Sequence, residues 1–118
     1  MHKIKLNPKQ QLFTLAQWQE LLANSKKRPS ASEVKPVVKL FNPRGGGTWL
    51  LTECDDDGIA YGFCDLGMGC PELGYVSMTE VCELYANSQG RRWIERDLHF
   101  TARQSLLAYV EDTKSKCQ

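Results

Sequence analysis

Residues 48–65, TWLLTECDDDGIAYGFCD, decide the fold. Two runs rich in aromatic and β-branched residues flank a polar turn, and Asp57-Gly58 is a dipeptide that hairpin turns favour. If Cys54 pairs with Ile59, the period of two sorts the side chains onto two faces. One face would hold Leu50, Thr52, Cys54, Ile59, Tyr61 and Phe63 and form the core. The other would hold Trp49, Leu51, Glu53, Ala60, Gly62 and Cys64. Its small side chains would let a helix or a partner come close.

The pattern continues outward from this hairpin. Upstream, residues 37–41 form a β-rich run, followed by a turn at Asn42-Pro43-Arg44-Gly45-Gly46-Gly47. Downstream, Tyr75-Val76 marks a short fourth strand. Ser77 and Glu80 then have the spacing of a capping box, with Val76 and Val81 as its staple. Met78, Val81, Cys82 and Tyr85 line one stripe of the helix this predicts, and residues 87–90 end it. Residues 93–100 read as extended. Thr101 and Gln104 form another capping box, before a last helix over 102–110. Near the start, Thr14 and Gln17 form a third, with Phe13 and Trp18 as its staple, ahead of a helix over about 15–24.

The element order is helix, strand meander, helix, extended segment, helix. It predicts an α+β fold: an antiparallel three- to four-strand meander with two or three helices packed on one face. Residues 1–36 read as a basic N-terminal arm, helix and linker, 37–110 as the α+β core domain and 111–118 as a polar tail.

The 118 residues suffice for one domain with its own core. No apolar run approaches the roughly 20 residues of a membrane span, and no signal-peptide pattern opens the sequence. The five cysteines are odd in number and none has C-x-x-C spacing, which favours reduced thiols and a cytoplasmic location over a disulfide framework. The net charge of +1 hides a split. Residues 1–46 carry nine Lys or Arg against two acids, whereas residues 47–90 carry eight acids and no Lys or Arg. Such blocks either neutralise each other within the fold or create distinct surface potentials.

The local motifs mostly exclude chemistry. The glycine triplet at 45–47 lacks the phosphate-loop pattern and precedes a strand, so a turn is the simpler reading. A calcium loop starting at Asp55 would need Glu at its twelfth position, where Leu66 stands. Cys64, Cys70 and His99 match no common zinc spacing. Cys70 in its Gly-Cys-Pro-Glu loop and His99 could form a nucleophile–base pair only by long-range contact. No metal, cofactor or catalytic residue is assigned. Lys26-Lys27-Arg28 has no interleaved aromatic pattern, so nucleic-acid contact would be nonspecific and carried by the basic N-terminal arm.

Four blocks resemble a family: Gly47–Glu53, Cys64–Gly67, Glu72–Ser77 and Glu95–Phe100. Residues 37–100 are similar to a bacterial domain-of-unknown-function family, two-nine-five-eight. The resemblance implies a small accessory protein of bacteria, plasmids and integrative elements with no established reaction. Some proteins of such elements inhibit CRISPR or restriction systems. Within these blocks, polar residues near strand ends or loops are harder to explain by packing than apolar ones. The candidate binding residues are therefore Trp49, Glu53, Asp65, Glu72, Tyr75, Arg96, Asp97 and His99. The structural alternative has Glu72 capping a turn and Arg96 bridging Asp65 or Glu53.

These readings favour a small non-enzymatic protein that binds a protein partner, with an acidic surface that could occupy the nucleic-acid channel of a defence nuclease. One alternative is a metal-dependent or other enzyme using Glu53, Asp65, Glu72 and His99, which requires those four to converge. Another is a partner-binding module with no nucleic-acid link. No membrane contact is expected, and the sequence leaves the oligomeric state open.

Overall fold

The computed structural model describes residues 13–42, 47–65, 72–81 and 94–115. Helix α1 spans Leu15–Lys27. Strands β1 (Val38–Phe41), β2 (Thr48–Cys54), β3 (Ile59–Asp65), β4 (Glu72–Ser77) and β5 (Glu95–Arg96) follow. Helix α2, of which residues 78–81 are described, continues directly from β4. Helix α3 spans Leu106–Ser115. The strands form one antiparallel sheet in the order β4-β3-β2-β1-β5. The predicted meander is thus joined by a fifth strand on the outer side of β1, and the fold is α+β.

Local chemistry sets the start of α1. Thr14 Oγ1 accepts from the Gln17 N–H at 3.0 Å, and the Thr14 N–H donates to Gln17 Oε1 at 2.9 Å. The Phe13 and Trp18 rings lie nearly parallel, with centroids 6.1 Å apart, which closes the staple. The helix runs one turn past the expected residue 24. It stops at Arg28, whose backbone is left-handed (φ 49°) and whose N–H donates to the Asn24 carbonyl.

Two apolar clusters lie on opposite faces of the sheet. One joins Phe13 and Leu21 to Val38, Leu40, Trp49, Leu51, Cys54, Ala60, Met78, Val81 and Ile94. The other joins Leu50 and Phe63 to Leu106 and Val110 of α3, with Ala31 and Val34 against it. Helices therefore cover both faces, and the expected packing on one face is corrected. The reason is visible in β2, where every residue from Trp49 to Cys54 is buried, as befits a strand covered on both sides. Each large apolar side chain so buried contributes roughly 1.5–3 kcal/mol.

Residues 29–36 pack against the α3 face of the domain. The Ala31 and Val34 carbonyls accept from the Leu107 and Leu106 N–H groups, pairing donors that an isolated helix start would leave open. The cap of α3 is Ser105, whose Oγ accepts from the Ala108 N–H at 3.2 Å. The expected start at 102 is thus four residues early. The helix also continues through the predicted polar stretch as far as Ser115.

The β2–β3 connection is a short turn closed by Asp55 and Gly58. The Gly58 N–H donates to the Asp55 carbonyl, and Gly58 adopts φ 84°. Asp55 Oδ1 accepts from the N–H groups of Asp57 and Ile59 at 3.0 and 2.9 Å. One of the three consecutive aspartates is therefore a turn-forming residue. The basic arm 1–12, Gly45 and Gly46, the Cys70 loop, the helix end expected at residues 87–90 and Cys117 lie outside the described residues.

Candidate functional site

Register decides which side chains share a face. Leu50 pairs with Phe63 and Leu51 with Gly62, but Glu53 pairs with Tyr61 and Cys54 with Ala60. The register shift leaves Thr52 as the extra residue of a β-bulge. Thr52 is held on both sides: its Oγ1 donates to the Tyr61 carbonyl at 3.3 Å, and its own carbonyl accepts from Asn24 Nδ2 at 2.8 Å. The bulge exchanges the two residues that follow it. Cys54 joins the α1-face core beside Ala60, whereas Glu53 shares the α3 face with Tyr61. The expected Cys54–Ile59 pairing and its face assignment fail at this point.

Gly62 makes the bulge possible. A Cβ at this position would overlap the Leu50 carbonyl oxygen and lie 2.9 Å from Leu51 Cα. The small residue admits the neighbouring strand's backbone, and α1 covers the face that also holds Trp49, Leu51 and Ala60, where the sequence expected a helix or a partner to come close.

The row Glu53–Tyr61–Tyr75 crosses β2, β3 and β4 on the α3 face. Glu53 is only 8% exposed. Burial pushes its carboxyl above the ordinary glutamate range. The Arg28 charge pulls it down, and Asp55 pushes it further up. Tyr61 is half-buried, and its ring meets that of Tyr75 at 4.9 Å with a 59° tilt. Tyr75 sits on the outer strand β4 and is 64% exposed.

The other candidates are spread out. Trp49 is buried in the α1-face core, and its indole N–H hydrogen-bonds Cys64, its cross-strand partner. Burial, with Asp65 next to it, keeps the Cys64 thiol above its ordinary pKa. Trp49 is thus a packing residue. Glu72 pairs with Cys64 and is exposed on β4; Asp65 ends β3 opposite Thr48.

At the other edge, Arg96 pairs with Leu40 on β1, which puts it on the α1 face. Three strand spacings, about 14 Å, separate β5 from β3. Arg96 thus lies on the face opposite Glu53, and opposite Asp65, which alternates with the α1-face residue Cys64. Asp97 Oδ2 lies 3.7 Å from Lys39 Nζ, while its Oδ1 accepts from the His99 N–H at 2.9 Å. Asp97 thus ties the turn after β5 to β1. The His99 residue is exposed.

The structure brings Glu53 and Tyr75 into one row, and Asp97 and His99 into one turn. Glu53, Asp65, Glu72 and His99 do not converge. Among the described residues, no group of three or more His, Cys, Asp or Glu could hold a metal ion. Tyr61, paired with Glu53, and Arg28, whose charge acts on it, are not among the candidates read from sequence. Tyr61 could have been found from the hairpin only with the bulge in place.

A family model matches residues 12–118, well beyond the 37–100 stretch that carried the resemblance, and its description is Protein of unknown function (DUF2958). The chain belongs to this family. The match takes in α1 and α3, which pack on the two faces of the sheet in this DUF2958 chain. Comparison with curated proteins and with solved structures gave no match. Among the described residues of this DUF2958 chain, no helix is long and apolar enough to cross a membrane.

Proposed function

We propose that this chain is a small non-enzymatic binding protein of bacterial mobile elements. It acts in the cytoplasm, engages a protein partner through carboxylates and inhibits a host defence nuclease of the CRISPR or restriction kind. The supporting observation is the acidic end of the sheet. Asp57 is exposed in the β2–β3 turn, Asp56 is half-exposed beside it, and Glu80 is exposed in the first turn of α2. The Met78 N–H donates to the Gly58 carbonyl and joins the two segments. No Lys or Arg interrupts the sequence from 47 to 90. Channels that hold nucleic acid concentrate positive potential, which carboxylates on a small rigid domain can engage in place of phosphates. The dispersal of Glu53, Asp65, Glu72 and His99 weighs against the enzyme reading.

Capture from a bacterial lysate with active restriction and CRISPR systems tests this reading. The account expects the immobilised chain to retain a nuclease, duplex DNA to release it, and an Asp56→Asn, Asp57→Asn, Glu80→Gln variant to lose it. The purified chain should also slow DNA cleavage by that nuclease. Cleavage unaffected by an excess of chain overturns the reading.

A further inference from the structure

We infer that Glu53, Tyr61 and Tyr75 form a receptor for a guanidinium group, the side chain of an arginine presented by a protein partner. The inference rests on the reading of the chain as a protein-binding module and names the group its partner inserts.

The bulge is the first observation. Strict alternation from Leu51 would put Glu53 among the α1-face core residues. The extra residue Thr52 instead places it opposite Tyr61, in register with Tyr75. Bulges of this kind re-aim side chains.

The second is the state of the carboxylate. Glu53 is buried, yet no hydrogen bond or ion pair reaches its oxygens among the described residues. A buried carboxylate without such partners is costly to a fold. Arg28 supplies an attractive field but makes no contact within the 4.0 Å of an ion pair, and its residue is exposed. The position favours a positive charge that none of the described residues seats there.

The third is the aromatic pair beside it. The two rings meet at a tilt, and Tyr75 leaves most of its surface open on the outer strand. A cation gains from an aromatic face, and a planar guanidinium can stack on a ring while its N–H groups fork to a carboxylate. A lysine ammonium is more strongly hydrated and cannot stack. A divalent metal would need more oxygens than this single carboxylate provides.

Titration of the full chain with N-acetyl-arginine amide, followed by NMR at Tyr75 and Glu53, tests the inference. The expected result is saturable binding that weakens about tenfold or more in Glu53→Gln and in Tyr75→Leu. Tyr75→Phe should keep the affinity, since the ring face remains. Arg28→Gln should tighten binding, since it removes a competing charge. Tyr75 is exposed and Gln is isosteric with Glu, so circular dichroism should show these variants folded. Absent binding to wild type, or equal binding by wild type, Glu53→Gln and Tyr75→Leu, overturns the inference. Equal binding of N-acetyl-lysine amide overturns the assignment to guanidinium. The assay contains no nuclease, so it fails or succeeds separately from the proposed function.

Discussion

Gly62 and Leu50 meet backbone to backbone where β2 bulges against β3, and no side chain fits between them. This contact fixes the register of the central hairpin. It also determines that Glu53 lies beside Tyr61 and that Cys54 lies in the core.

Gly62→Ala therefore strikes backbone that cannot move without disturbing the sheet. We expect a loss of about 3 kcal/mol or more, the upper range for overpacking. Gly74→Ala on the neighbouring strand, where no described atom lies within 4 Å of the added carbon, should cost far less. Urea unfolding of the two variants checks this; equal losses would contradict the bulge geometry.

Arg28 ends α1 in a left-handed conformation that favours glycine. Arg28→Gly should raise stability by about 1 kcal/mol through relief of this strain. The same change removes the attractive field on Glu53. The gain should therefore be larger at pH 4, where more of the carboxyl is protonated, than at pH 7. Urea midpoints at the two values measure it.

The start of α3 separates two readings of one stretch. Ser105→Ala removes the hydroxyl that caps Ala108 and should cost about 1 kcal/mol. Thr101→Ala, at the cap expected from sequence, should fall within about 0.5 kcal/mol of wild type. Thermal unfolding of both variants decides between the two starts.

Glu53 also leaves a mark on pH dependence. Its carboxyl titrates near 4.5 when unfolded and above that when folded, chiefly because burial disfavours the charge. The folded chain thus holds the proton more tightly. The resulting stabilisation is fully present below pH 4.5 and is lost as pH rises through the folded value. Glu53→Gln stays neutral throughout. Its stability relative to wild type should rise between pH 4 and pH 7, as urea melts would show; a constant difference would contradict the folded-state burial.

The parts of this fold that were legible in the sequence are those fixed by near neighbours. Thr14, Gln17, Phe13 and Trp18 act within five residues of one another, and the structure forms both the box and the staple. The hairpin was legible from Asp57-Gly58, with Gly58 at positive φ. Its register was not, because the bulge at Thr52 depends on contacts with Tyr61 and Asn24, nine and twenty-eight residues away. The both-sided covering of β2 had a signal in the unbroken run Trp49-Leu50-Leu51, which alternation alone could not interpret. Among the candidate residues, Tyr75 is legible from its place in a polar block near a strand end. Tyr61 reads as a core residue in the sequence, because only the bulge sets it beside Glu53.

The most direct test is the titration of the Glu53 carboxyl itself, by carbon-13 NMR of the full chain with and without N-acetyl-arginine amide. The account predicts a midpoint above 4.5 in the free chain and a lower one with the ligand bound, because a seated guanidinium favours the ionised form. A midpoint at or below 4.5 in the free chain, or one that saturating ligand leaves unmoved, would contradict it.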